Sequence, residues 1–266
     1  MKKFFSNFYI FFVFFFLYAP ILIMMLYSFN SSKGRVWTGF STEWYEKLFH
    51  NELILSSLLN TLVVALIASV LATILGTFAA LGINGMKKRT GNIIKNVTYL
   101  QLLNPEIVTG ISLMLLFSFF RMTPGYTTLI LAHITFCVPS VVLNVLPKFR
   151  QMNKSIYEAA LDLGCNKVQA FFKAVLPEIM PGIVSGFLMS LTYSIDDFVI
   201  SYFTSGPSSQ TLPITIYSMT KKKVSPEINA LSTLIFVAVL AILFIVNARD
   251  IKSEKEKAKR LAAMRR

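Results

Sequence analysis

Acidic residues are scarce in this sequence, and cysteine, histidine and tryptophan are scarcer: 266 residues hold 13 Asp and Glu but only two each of Cys, His and Trp. Each shortage removes a class of chemistry. Cys137 lies inside an apolar run and Cys165 in a charged loop, so no structural disulfide is expected between them. His50 and His133 stand alone, without metal-ligand spacing, and no metal site is expected. No stretch of the form G-x-x-x-x-G-K-[ST] occurs, so the chain lacks the phosphate cradle that ATP hydrolysis requires. Serine and threonine are frequent, yet no base with an orienting acid accompanies them, and no catalytic residue is expected. Long alternating runs of apolar and polar residues are also missing, which argues against a lipid-facing β-barrel.

What the chain has in quantity is apolar sequence, 55% of all residues, with a mean hydropathy of +0.61. A water-soluble globule of this length would carry large exposed apolar patches, so lipid is the expected solvent. A bilayer core asks for about 20 apolar residues per helix. Six runs meet that demand, at 8–29, 58–84, 96–120, 127–146, 179–203 and 228–248. Backbone amides in hydrocarbon must bond within their own segment, which predicts an all-α, polytopic membrane protein with six transmembrane helices. The run after Lys2 and Lys3 is longer than a signal-peptide core and lacks a small-residue cleavage site, so it reads as an uncleaved first span.

The net charge of +13 does not point to nucleic acid, because Lys and Arg sit in clusters between the apolar runs and at the two ends. With six spans, 19 of the 26 fall on the side that holds both termini, so both termini are expected in the cytoplasm. Lys221, Lys222 and Lys223 form the one discordant cluster and are placed on the external rim or against the acidic surface of an external partner. The expected organisation is a transmembrane domain over 1–248 and a charged cytoplasmic tail over 249–266. An external loop at 30–57, with Trp37, Trp44 and Tyr45, reads as partly folded, and another external loop runs over 204–227.

The cytoplasmic loop at 147–180 is the most informative segment. Ser155 is placed to N-cap a short helix with Glu158 as its capping-box partner, and Gly164 to end it in the left-handed conformation. Ala159 and Ala160 keep one flank low, while Glu158 and Asp162 stand one turn apart. Such a helix either docks in a groove on a partner or packs as a turn on its own subunit, and the residues alone leave both open.

Ionisable groups in a span are costly and normally face a cavity or a partner. Glu106 follows the helix-loosening Pro105, and Asp196 and Asp197 adjoin one another in the fifth span. With Asn104, Tyr193 and Ser194 as uncharged neighbours, these acids would make anionic stations for a cation, with aromatic faces in support. Each acid has a structural alternative, as a hydrogen-bond acceptor or the partner of another subunit's Lys. Successive helical residues differ by about 100°, so Asp196 and Asp197 are not expected to face one lumen together. His133 is expected to pack through hydrogen bonds, with proton relay as the alternative. The stretches at 110–112 and 182–186 read as close-packing faces.

Glu158-Ala159-Ala160, then Gly164, then Ala174-Val175-Leu176-Pro177 resembles the EAA loop of ABC-importer permeases, E-A-A-x3-G-x9-I-x-L-P, with Ala174 in place of the usual Ile. Ser28-Phe29-Asn30-Ser31-Ser32, Pro105-Glu106-Ile107-Val108, Ala132-His133-Ile134-Thr135, Asp196-Asp197-Phe198-Val199 and Leu212-Pro213-Ile214 extend the resemblance along most of the chain. They narrow it to spermidine/putrescine permeases of the PotC type. The resemblance implies a type I (MetI-like) fold in a bacterial cytoplasmic membrane and no cofactor on this chain, with ATP and Mg used by a partner ATPase. It also implies a sister permease in a heterodimer, two ATP-binding subunits and an extracytoplasmic polyamine-binding protein. Glu158, Ala159, Ala160, Asp162 and Gly164 would then form the coupling helix. Glu106, Asp196, Asp197, Tyr193, Ser194 and Asn104 would line the substrate pathway. A permease for another small cation is the near alternative, and a secondary transporter, which needs no docking helix, the more remote one.

Overall fold

Apolar runs flanked by polar punctuation fold here as a set of helices, seen in a computed structural model that describes residues 2–33, 36–222, 226–238 and 240–241. In chain order they are α1 (Lys2–Tyr27), α2 (Glu43–Phe49), α3 (Glu52–Gly85), α4 (Lys88–Leu103), α5 (Glu106–Phe119), α6 (Tyr126–Gln151), α7 (Lys154–Asp162) and α8 (Lys167–Ala170). A π-turn (Phe171–Val175) then leads into α9 (Leu176–Asp196), followed by α10 (Val199–Thr204), α11 (Leu212–Lys222) and a last apolar helix, α12 (Pro226–Ala238). Among the described residues the only β pairing is an isolated bridge between Asn30 and Phe40.

Among the described residues, four helical stretches are long and apolar enough to cross a membrane: Phe8–Tyr27, Glu52–Gly85, Tyr126–Gln151 and Lys167–Asp196. The α4–α5 pair makes a fifth if its two arms count as one crossing. Most of the expected sixth span beyond Ala238, and the whole charged tail, lie outside the described residues, as does Lys223.

Two expected spans are broken. The run at 96–120 bends by 102° between α4 and α5. Proline lacks an amide hydrogen and pushes the residue before it out of the helical region; Asn104, before Pro105, is extended at φ −72°, ψ 133°. The run at 179–203 breaks after Asp196, because Asp197 is extended at φ −65°, ψ 123° and α10 starts anew. Asp196 and Asp197 therefore do not share a helix, and the 100° offset expected between them does not arise.

The chain divides into two compact units, Met1–Glu52 with Ile216–Arg266, and Leu53–Thr215. In the first, the expected partly folded loop is present. Trp44 is buried and donates its indole N–H to the Asn30 carbonyl at 2.6 Å, while Asn30 Oδ1 accepts the Thr38 amide at 2.9 Å. Lys221 sets its ammonium 4.7 Å from the Tyr217 ring centre.

The second unit is built on small residues that let helices approach, the packing expected of spans in lipid. Val141 of α6 is fully buried. A Cβ placed on Gly76 of α3 would come within 2.6 Å of Val141 Cβ, and one on Gly186 of α9 within 3.2 Å of Val141 Cα. Gly182 likewise meets the Asn144 carbonyl and the Lys148 stem, and Gly110 of α5 meets the Phe203 ring. Gly110, Gly182 and Gly186 are thus close-contact points, while Ile111, Ser112, Val184 and Ser185 in the same stretches are exposed. Around Val141 the core includes Ala72, Cys137, Val145, Phe149 and Ile179. Cys137 and Cys165 are both free thiols.

Candidate functional site

The two helix breaks produce the cavity that gathers most of the expected pathway residues. It has a volume of about 390 Å³, and Gln101, Asn104, Glu106, Tyr193, Asp196 and Asp197 contribute to its wall. Phe136 and Phe198 add aromatic surface, and among the described residues no Lys or Arg lines it. Leaving the helix at Asn104 and restarting it at Glu106 brings an amide and a carboxylate to the same bend. Asn104 Nδ2 donates to Thr109 Oγ1 at 3.0 Å, which ties the bend to the first turns of α5.

The three acids are held differently. Glu106 and Asp196 are exposed, and neither accepts a hydrogen bond nor forms an ion pair among the described residues. Asp197 is 9% exposed, and its carboxylate closes the start of α10: Oδ1 accepts the Ile200 amide at 3.2 Å and Oδ2 the Ser201 amide at 2.7 Å. A carboxylate over the free amides of a helix start satisfies groups that have no partner within the helix. Asp197 therefore forms part of the wall and also holds the break in place.

Ser194 was expected as an open acceptor and is not one. It is 2% exposed, absent from the cavity wall, and its hydroxyl lies 2.5 Å from His133 Nδ1. The other ring nitrogen of His133 lies 3.0 Å from Ser201 Oγ and 3.7 Å from Asp197 Oδ2. With both nitrogens engaged and the ring fully buried, His133 joins α6 to the end of α9 and the start of α10. This is the packing reading of His133. Gln101, Phe136 and Phe198 were missed as cavity residues. Gln101 had a signal, since it stands three residues before Asn104 on the same helix face.

The second candidate site is α7. Asn153 caps it, accepting the Ser155 amide at 3.1 Å and the Ser155 hydroxyl at 2.7 Å. The expected Ser155–Glu158 capping box is therefore not formed: the helix starts one residue before Ser155, and the Asn153 carboxamide already occupies the cap. The far end is as expected. Gly164 has φ +85°, its amide donates to the Leu161 carbonyl at 2.9 Å, and the Cys165 amide donates to Ala160 at 3.1 Å. That paired pattern ends a helix sharply. Asn166 and Gln169 then cap α8 reciprocally. Tyr157 packs onto the core of the second unit, so α7 is seated on its inner side. Its outer side leaves Glu158, Ala159, Asp162 and Gly164 exposed, with Ala160 half-buried. Leu163 is 86% exposed, a bare apolar side chain at the tip that suits the apolar contact expected of this helix.

Comparison with known proteins agrees with this architecture. Residues 72–249 match the family described as the binding-protein-dependent transport system inner membrane component. The chain is 37% identical over 245 residues to the spermidine/putrescine transport system permease protein PotC of Haemophilus influenzae, covering 91% of this chain and 95% of that protein. It is 40% identical over 259 residues to the putrescine transport system permease protein PotI of Escherichia coli, covering 94% and 92%. Among solved structures, it superposes on a chain of a bacterial ABC transporter involved in the import of the acidic polysaccharide alginate. The TM-score is 0.72 at 15% identity, covering 93% of this chain and 96% of that one. The alginate transporter in complex with its pentasaccharide-bound periplasmic protein gives a TM-score of 0.68 at 17% identity, covering 93% and 92%.

Proposed function

Because the chain belongs to the family of inner membrane components of binding-protein-dependent transport systems, we propose that it forms half of the pathway of an ATP-driven polyamine importer. It is a multi-pass transport subunit rather than an enzyme. The observation that carries the polyamine reading is the cavity between the α4–α5 bend and the α9–α10 break. It presents Glu106 and Asp196 with no Lys or Arg among its described lining residues and surrounds them with amide and aromatic groups. An acidic, partly aromatic wall suits an alkyl ammonium, through ion pairing and cation–π contact. The names of the PotC and PotI relatives point to the same substrate class.

In this reading Glu106 and Asp196 bind the ammonium groups, Asn104 and Tyr193 supplement them, and Asp197 keeps the wall in shape. The transporter works with a sister permease, two ATP-binding subunits that use ATP and Mg, and an extracytoplasmic polyamine-binding protein. Both termini face the cytoplasm, as the excess of Lys and Arg on that side favours. The permease domain spans 1–248, and the tail at 249–266 is cytoplasmic. The exposed side of α7, with Glu158, Ala159, Ala160, Asp162 and Gly164, docks into the ATPase, and Leu163 supplies an apolar contact at its tip. Closure of the ATPase on ATP then rocks the permease halves, provided the docked contacts differ between the two states.

The test is uptake of radiolabelled spermidine and putrescine by cells that lack their own polyamine importers and express the full assembly. Uptake by the wild type and its loss in Asp196→Asn, at equal membrane expression, supports the reading. A wild-type assembly that takes up neither amine refutes the substrate class and leaves the permease fold standing.

A further inference from the structure

Two further cavities adjoin at Asn84, near the end of α3, and their linings differ in chemistry. One, of about 580 Å³, is walled mainly by apolar groups, including Phe78 and Leu81 of α3, Phe149 of α6 and Phe172 of the π-turn. Phe78 is 60% exposed and Phe172 58%, so this chain leaves the groove open. The other, of about 350 Å³, is lined by Lys88, Asn92 and Arg150 and contains no carboxylate. Asn84 lines both. Lys88 and Arg150 form no ion pair among the described residues. The basic cavity also borders the first turn of α4, which has neither a side-chain cap nor an acidic residue.

We propose that the paired cavities bind one anionic phospholipid, with an acyl chain along the apolar groove and the phosphate between Lys88 and Arg150. Depth and charge together select this occupant. At about 1.5 Å per residue, Phe78 lies about 9 Å along α3 from Asn84, on the hydrocarbon side of the boundary that Lys87, Lys88 and Arg89 mark. The α3 end of the groove, at Phe78 and Leu81, lies at the depth of a lipid tail, and the rest of its wall, from Phe149 to Val175, belongs to the 147–180 loop at the cytoplasmic end. The uncompensated cations stand where the tail emerges, and basic pockets between spans are suited to anionic headgroups. Glu158 and Lys167 also line the groove, one of each sign, and do not reverse this preference.

The complete transporter, reconstituted in phosphatidylcholine nanodiscs doped with acyl-photoreactive phosphatidylglycerol or acyl-photoreactive phosphatidylcholine, tests the site. Two basic contacts predict roughly tenfold more phosphatidylglycerol than phosphatidylcholine adduct on peptides around Phe78 and Phe172. The double variant Lys88→Gln/Arg150→Gln should erase that excess, and Lys88→Arg/Arg150→Lys should retain it, which separates lost charge from lost folding. Equal labelling by the two lipids would overturn the proposal. So would an excess that survives the Gln pair, or crosslinks from a photoreactive residue at position 172 to the sister permease instead of lipid. Polyamine uptake is not the readout, so failure here leaves the transport reading untouched.

Discussion

Asp197 Oδ2 accepts the Ser201 amide at 2.7 Å across the gap between α9 and α10. The contact separates the roles of two adjacent acids, because Asp196, one residue earlier, is exposed and bonded to nothing described. Asp197→Ala should lower the stability of the assembly by about 1–2 kcal/mol, the usual cost of losing a helix-start acceptor. Asp196→Asn should leave stability unchanged and abolish most spermidine uptake. Thermal unfolding followed by size-exclusion chromatography, run beside the uptake assay, distinguishes the two. A stable, inactive Asp197→Ala would exchange the assignments.

Glu106→Gln is expected to behave like Asp196→Asn, since both carboxylates face the same cavity. Uptake should fall at least tenfold in Glu106→Gln, with ATPase activity of the assembly retained. An unchanged uptake rate would return Glu106 to a structural role.

His133→Phe keeps the ring volume but strands the hydroxyls of Ser194 and Ser201 in a buried setting. Each unpartnered buried group costs about 1–3 kcal/mol. The variant should therefore unfold earlier than wild type, and Ser194→Ala combined with Ser201→Ala should recover part of the loss. If His133→Phe instead abolished uptake at wild-type stability, the packing role would be wrong.

Gly76→Val forces a branched side chain onto Val141, which already occupies that space. Overpacking of this kind costs about 1–3 kcal/mol. Val141→Ala in the same chain should recover much of the loss, and a double-mutant cycle on thermal stability measures the coupling. Independent, additive effects would show that α3 and α6 do not meet there.

Glu158→Lys places a positive charge on the exposed side of α7 and should uncouple transport from ATP hydrolysis while leaving assembly intact. Gly164→Val should impair coupling by another route, because a β-branched residue at φ +85° is strained by about 1–2 kcal/mol. Vesicles that record ATP turnover and uptake together test both. Unchanged coupling in Glu158→Lys would remove that carboxylate from the dock.

Local features were largely legible from the sequence. Gly164 was read as a helix stop because only a few residue types adopt its backbone angle without strain. Pro105 was read as loosening its helix, which the 102° bend bears out in stronger form. The Ser155 cap was misassigned because Asn153 is an equally good capping residue two positions earlier, and pattern alone does not rank them. The break at Asp197 was missed because an apolar run continues on both sides of it and no proline marks it. Ser194 was misread because its partner, His133, belongs to another helix.

By itself the sequence determined the all-helical, lipid-solvated class, the absence of a phosphate cradle and the existence of a short capped helix in the 147–180 loop. Each follows from composition or from residues a few positions apart, where backbone geometry links pattern to structure directly. The tertiary structure alone decided that Glu106 and Asp196 share a cavity, that Asp197 holds a helix start, and that Gly76 and Gly186 close on the same Val141. Those relationships depend on how separate helices pack, and that packing is set by the mutual fit of side chains remote from one another in the chain.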